Sequence, residues 1–128
     1  MAVVFAVAAA CGGGGGSPTT PGGGGSGSGS PGPVGATVTI GANGVVTPTQ
    51  VTVSVGQSVT FVNNHDRRHD VTSDPHPTHT DCPPMGPVGN LTAGQTKTTN
   101  AFTTARTCGF HDHDDPDNPN LRGRIVIQ

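Results

Sequence analysis

The sequence predicts an all-β sandwich, and three observations carry that prediction. Apolar and polar residues alternate with a period of two over short runs, as in Val51-Thr-Val-Ser-Val55 and Gly123-Arg-Ile-Val-Ile127. Turn signals separate the runs at intervals of roughly 8–12 residues, the spacing of short strands in a two-sheet domain. No stretch repeats its apolar residues with the period of a helix.

Taken in order, Thr37-Val-Thr-Ile40 alternates and reads as a strand. Gly41-Ala-Asn-Gly44 follows, and its Asn-Gly pair is a strong hairpin signal. Val45-Val-Thr-Pro48 leads into the Val51–Val55 run, and Gly56-Gln57 turns the chain into Ser58-Val-Thr-Phe-Val62. A His-rich corner then leads to Val71. Residues 73–90, rich in Pro and Gly, read as one long irregular loop, a feature that in compact domains usually carries function or disorder. Leu91-Thr-Ala-Gly94 reads as a turn and Gln95–Phe102 as a strand. Thr103–Thr107 runs up to Cys108, the segment from Cys108 to His111 reads as a loop, and Gly123–Ile127 closes the sheet. The expected core is Val38, Ile40, Val51, Val53, Val55, Val59, Phe61, Val71, Leu91, Phe102, Ile125 and Ile127.

Composition divides the chain of 128 residues into three parts. Residues 1–11 are apolar, end in small residues at Cys11, and are too short to span a bilayer, which takes about 20 apolar residues. They fit the apolar region of a secretory signal. Small residues followed at once by Cys resemble a bacterial lipoprotein processing site, which implies lipid on Cys11 and an extracytoplasmic, membrane-anchored protein. Residues 12–35 are almost all Gly, Ser, Pro and Thr and read as a flexible linker with a reach of roughly 25–30 Å. Residues 36–128 form the folded domain, which holds every charged residue of the chain. A unit that small buries only about 60–65% of its unfolded surface and often needs a metal or a disulfide as a staple. The net charge of −2 gives no electrostatic case for nucleic acid.

The chemistry-bearing residues cluster in three places. His65 and His69 lie at the corner after Val62, His76, His79 and Cys82 lie in the long loop, and Cys108-Gly-Phe-His111-Asp-His113 precedes the last strand. A thiolate and two imidazoles are the ligand set of a mononuclear copper centre. Thiol, imidazole and carboxylate together also suit copper or zinc more generally.

The run Pro48-x-x-Val-Thr-Val-Ser-Val-Gly56-Gln-Ser-Val-Thr-Phe-Val-Asn63-Asn, then His69-Asp-Val, then Cys108-x-x-His111, then Leu121-x-Gly-x-Ile-Val-Ile, resembles the cupredoxins, the plastocyanin-like blue copper proteins. The resemblance covers about residues 37–128 apart from the 73–90 loop. It implies a Greek-key β-sandwich and copper as cofactor. It also implies His69 as the first imidazole ligand, Cys108 as the thiolate and His111 as the second imidazole. The position that carries the usual axial Met holds Leu121 here, so Met85, His113 or one of Asp112, Asp114 and Asp115 would have to supply any further donor.

The residues leave one alternative open. Cys82 and Cys108 are the only thiols in the folded part, and in an oxidising compartment such a pair is most simply a disulfide. Copper would then sit on His69, His76, His111, His113 and nearby carboxylates. Two functions follow: a tethered electron-transfer protein if Cys108 is free, or copper storage, sensing or delivery if it is not. A redox or copper-exchange protein is the expected partner in either case, and a monomer the expected state. A metal-free β module is a third reading. No nucleophile or paired-carboxylate pattern points to an enzyme.

Overall fold

A computed structural model describes residues 29–128. The expected signal segment, Cys11 and most of the expected linker lie outside the described residues. The described residues form nine strands: β1 (Val34–Ile40), β2 (Val46–Thr47), β3 (Gln50–Val53), β4 (Ser58–Asn63), β5 (His69–Ser73), β6 (Gly89–Leu91), β7 (Thr96–Thr98), β8 (Arg106–Asp112) and β9 (Arg122–Ile127). Among the described residues the helical elements are two single 3-10 turns, at Pro83–Met85 and Pro119–Leu121.

Two mixed sheets pack face to face, one in the order β2-β1-β4-β7 and the other β3-β9-β8-β5-β6. Parallel pairing of β1 with β4 and of β3 with β9 sits beside antiparallel pairing elsewhere. Alternation within the strands sends Val38, Ile40, Val59 and Phe61 from one sheet, and Val51, Val53, Val71, Ile125 and Ile127 from the other, into a common core. Phe61 and Phe110 meet edge to face with centroids 5.2 Å apart, linking the two sheets.

Several boundaries differ from the sequence reading, each for a visible reason. The folded unit reaches back before residue 36. β1 begins at Val34, and the carbonyls of Ser30 and Pro33 accept hydrogen bonds from Ala101 and Ser58. Val55 is 47% exposed instead of buried, because β3 stops at Val53 and the chain turns over Gly56 at φ +91°. The 73–90 segment contains a 3-10 turn and the first two residues of β6, and it buries Cys82, Met85 and Val88 completely or nearly so.

The difference that matters most for function lies in β8. Cys108 to His111 is strand and not loop, because β8 pairs on both sides: with β9 from Arg106↔Ile127 to His111↔Arg122, and with β5 from Ser73↔Phe110 to Val71↔Asp112. Neighbouring side chains on a strand point to opposite faces. Cys108, Phe110 and Asp112 therefore face the core, while Gly109 and His111 face outward.

Candidate metal centre

The outer face of β8 builds the site. His111 stands opposite Thr72 of β5, and the chain beyond Ser73 folds back over it. The Asp74 amide donates to the Gly109 carbonyl at 3.0 Å, which carries the antiparallel pairing one residue past the end of β5. The Asp74 carboxylate then lies directly over Gly109. A Cβ at position 109 would fall on that carboxylate, so any side chain there would have to push Asp74 aside. From there Asp74 Oδ1 accepts a hydrogen bond from His111 Nδ1 at 2.6 Å. His111 is only 1% exposed although it points away from the core, because the loop covers it.

The loop supplies two more imidazoles. His79 adopts φ 51°, a left-handed conformation that histidine enters more readily than most residues. Its amide donates to Pro75 O and its ring Nδ1 donates to Ser73 O, both across a tight turn. The Ser73 hydroxyl donates to His79 O and accepts from the Cys82 amide. His76 is exposed and stands 4.9–5.6 Å, centroid to centroid, from His79, His111 and His113. His113, two residues beyond His111, is held by its amide donating to Asp70 O at 2.7 Å.

One ring nitrogen from each of His76, His79, His111 and His113 lies within 4.8 Å of the others. Two of the four rings have their tautomer set. The Nδ1–H groups of His111 and His79 are committed to Asp74 and Ser73 O, which makes each Nε2 an acceptor, the His111 one 3.5 Å from the Thr72 hydroxyl. His79 Nε2 lies 2.8 Å from His113 Nδ1, so in the metal-free protein His113 donates to it. Partial desolvation by the surrounding loop holds the exposed His76 below its ordinary value of 6.5, helped by the positive charges that His113, His111 and His79 can carry and opposed by Asp117. An open cavity of about 510 Å³, lined by Asp74, His76, His111, Asp117 and Arg122 among others, connects the cluster to solvent.

The cluster fits copper by donor chemistry. Imidazole suits Cu, Zn and Ni, and metal-bound histidines almost always donate their other N–H to a carboxylate or a backbone carbonyl. His111 and His79 do this before any metal is present.

The residues expected to act together fall into two groups. His76, His111 and His113 converge, and His79, which the sequence places only in the long loop, joins them. Cys108 does not: it is bonded to Cys82 beneath the loop, with Cα atoms 5.7 Å apart. Cys108 and His111, three residues apart on a strand, face opposite ways. His69 is also elsewhere. It opens β5 on the core side, and the β8 residue it meets is Asp112, with Nδ1 2.6 Å from Asp112 Oδ2. Leu121 is buried and Met85 packs in the core. A Cys-x-x-His spacing suggests shared ligation only if the segment is a loop. The pairing partners of β8, which the sequence did not reveal, decide that it is not.

No protein-family model matches the chain, and no curated protein matches it in sequence. Its fold, however, is shared with solved cupredoxins. A purple cupredoxin from Nitrosopumilus maritimus superposes with TM-score 0.56 at 16% identity, over 73% of this chain and 99% of that one. Plastocyanin from Dryopteris crassirhizoma, in its oxidised form, gives 0.55 at 19% identity over 72% and 99%. An amicyanin variant in its Cu(I) state gives 0.54 at 22% identity over 73% and 82%. With its two sheets and their order, residues 29–128 have the cupredoxin fold.

Proposed function

We propose that this chain is a copper-binding protein whose ion sits on His76, His79, His111 and His113, and that it serves copper storage, sensing or delivery. The observation that carries this reading is the convergence of four imidazoles, two with their outward nitrogens already occupied, while Cys108 is tied to Cys82. The role is one of binding and not of catalysis. Bound there, copper would be held entirely by nitrogen donors. Asp74 and Ser73 O orient two of the rings, the loop shields His111 from water, and His76 faces the solvent side from which an ion or a partner arrives. The expected partner is a copper-exchange protein. Lipid on Cys11, with the chain anchored outside the cytoplasm, belongs to the same proposal and is supported by the sequence around Cys11.

A second reading, electron transfer, is favoured by the way His111 and His79 are fixed. Rings that cannot swing change little between oxidation states, and the fold is that of plastocyanin and amicyanin.

Visible absorption and EPR of the full chain titrated with Cu(II) test the proposal. The expected result is weak d–d absorption with ordinary hyperfine splitting, no thiol reactivity beyond Cys11, and copper affinity retained in Cys108→Ser. An intense charge-transfer band that Cys108→Ser abolishes would replace this reading with a thiolate-ligated electron-transfer site. Fast, reversible redox cycling without such a band would favour electron transfer on the imidazole site.

A further inference from the structure

Arg122 and Arg124 stand on the outer face of β9, with Gly123 between them. We propose that their two guanidinium groups form a binding site for a tetrahedral oxyanion of the phosphate class. The site is separate from the four-imidazole cluster and does not depend on the copper reading.

Three observations carry the assignment, and the first is placement. Residues two apart on a strand share a face, with Cα atoms roughly 6.5–7 Å apart. Ile125 and Ile127 of the same strand are buried, so Arg122 and Arg124 face outward, and both are exposed. Register puts Arg122 beside His111, and Arg124 between Gly109 of β8 and Gln50 of β3. Both arginines line one open cavity of about 350 Å³, together with Thr49, Gln50, Pro119 and Gly123.

The second is charge. The acidic side chains of the chain are eight aspartates, all of them among the described residues. Two are taken by other arginines, Asp114 by Arg68 and Asp81 by Arg106. None of the eight comes within 4.0 Å of Arg122 or Arg124. Asp117 shares a second cavity with Arg122 and is not paired with it. Two like charges side by side on a sheet repel each other, and a protein of net charge −2 had carboxylates to spare for them. A bound dianion removes that repulsion.

The third is the supply of donors. Arg124 Nε donates to Gln50 Oε1 at 2.6 Å, which fixes the guanidinium and leaves its two terminal nitrogens to donate elsewhere. The Arg124 amide donates to Thr49 O at 2.9 Å, and Gly123, where a Cβ would run into Phe110 and Thr49 O, keeps β9 flush against that segment. The class of ligand follows from the number of donors. A carboxylate has one charge and two oxygens, and a single guanidinium fork satisfies it. Two forks side by side match a dianion with three or four oxygens. Free phosphate and the phosphate of a lipid headgroup present the same chemistry.

The test is an NMR titration of the metal-free full chain, carrying Cys11→Ser so that no lipid is attached. Inorganic phosphate is added against chloride at the same ionic strength, about 0.15 M. Saturable shifts are expected in the Arg122 and Arg124 Nε–H signals and in the Gln50 and Gly123 amides, with a dissociation constant below about 1 mM. The Thr78 and Gly94 amides should not move. Arg122→Gln and Arg124→Gln should each weaken binding roughly tenfold or more, the effect of a lost charge-assisted hydrogen bond. Arg67→Gln, which removes an exposed arginine at the corner before β5, should leave binding unchanged. Flotation with phosphatidylcholine vesicles, with and without phosphatidic acid, separates the two sources. Flotation that needs phosphatidic acid and both arginines assigns the site to a headgroup, and saturation by phosphate without flotation assigns it to the free ion. The proposal is overturned if phosphate does not saturate in that range and the vesicles do not bind. It is also overturned if Arg67→Gln weakens binding as much as Arg122→Gln or Arg124→Gln.

Discussion

The two faces of the end of β8 carry histidine groups that are satisfied in different ways. On the core side, His69 is matched to Asp112, and that carboxylate is in turn filled by two backbone amides. On the outer side, four imidazoles face one another, and the only hydrogen bond between rings of that cluster is His79 to His113. The first arrangement is complete as folded, since the outward nitrogen of His69 lies 2.8 Å from His65 Nδ1. The second gathers lone pairs, which a cation would satisfy better than a proton does. A histidine with both ring nitrogens engaged by partners that leave no room for an ion reads as structure, and a group of histidines whose remaining nitrogens converge reads as a ligand set.

Substitutions should separate the two faces. His69→Ala leaves a buried carboxylate short of a donor and opens a cavity, so it should cost about 3 kcal/mol or more in urea unfolding. His113→Ala, on a half-buried ring, should cost less than about 1 kcal/mol. Equal losses would erase the distinction. Next in size, copper at 100 times its dissociation constant should stabilise the wild type by about 2.7 kcal/mol, seen as a rise in Tm. His79→Ala/His113→Ala should lose most of that rise, and an unchanged rise would move the main site elsewhere. Asp74→Ala should weaken copper binding by about 10–100-fold in a chelator competition while leaving the fold intact. Gly109→Ala should act in the same direction, because its methyl group displaces the Asp74 carboxylate.

The smaller effects concern protons and surface. His76 is held below 6.5 in the fold, so between that lowered value and 6.5 the unfolded chain binds more protons than the native one. The contribution is nil above 6.5, and the metal-free protein loses stability as pH falls through the lowered value. The ring is exposed, so the change should be slight; Tm scans between pH 7 and pH 5 should show it, and His76→Ala should flatten it. Val55→Thr, on an exposed turn, should shift stability by no more than about 0.5 kcal/mol.

Much of the fold was legible in the sequence because half-buried strands repeat with period two. Val38, Ile40, Val59, Phe61, Ile125 and Ile127 all announce their inward face in this way. Phe110 and Cys108 did not, since Cys108-Gly-Phe-His111 has too few apolar neighbours to declare itself a strand. The site was legible as an inventory and not as an assembly. His76, His111 and His113 could be picked out by residue type, and the Cys82–Cys108 pair was open as an alternative to a thiolate ligand. Which residues meet depends on the side of β8 each occupies, and that follows from pairing with β5 and β9. His79 stands outside the copper ligand set that the sequence suggests. Its partners, Ser73 O and Pro75 O, are backbone atoms that leave no mark in the sequence.

The disulfide has a bearing on how the protein would let an ion go. Cys82 and Cys108 close a chain loop with a sequence separation of 26, and an ion held by His79 and His113 would close a second loop of separation 34 around it. The two closures are concentric. Once the inner one exists, the outer adds little further ordering, because the entropy of bringing those segments together is already spent. Metal binding in the oxidised protein is then close to a local event on a standing scaffold, and an ion can enter and leave without the domain opening. With the inner closure cut, each ion bound would have to order the loop afresh, so loading would become coupled to folding and release correspondingly slow to reverse. A single covalent bond away from the ligands thus decides whether the loop behaves as a socket or as a clasp.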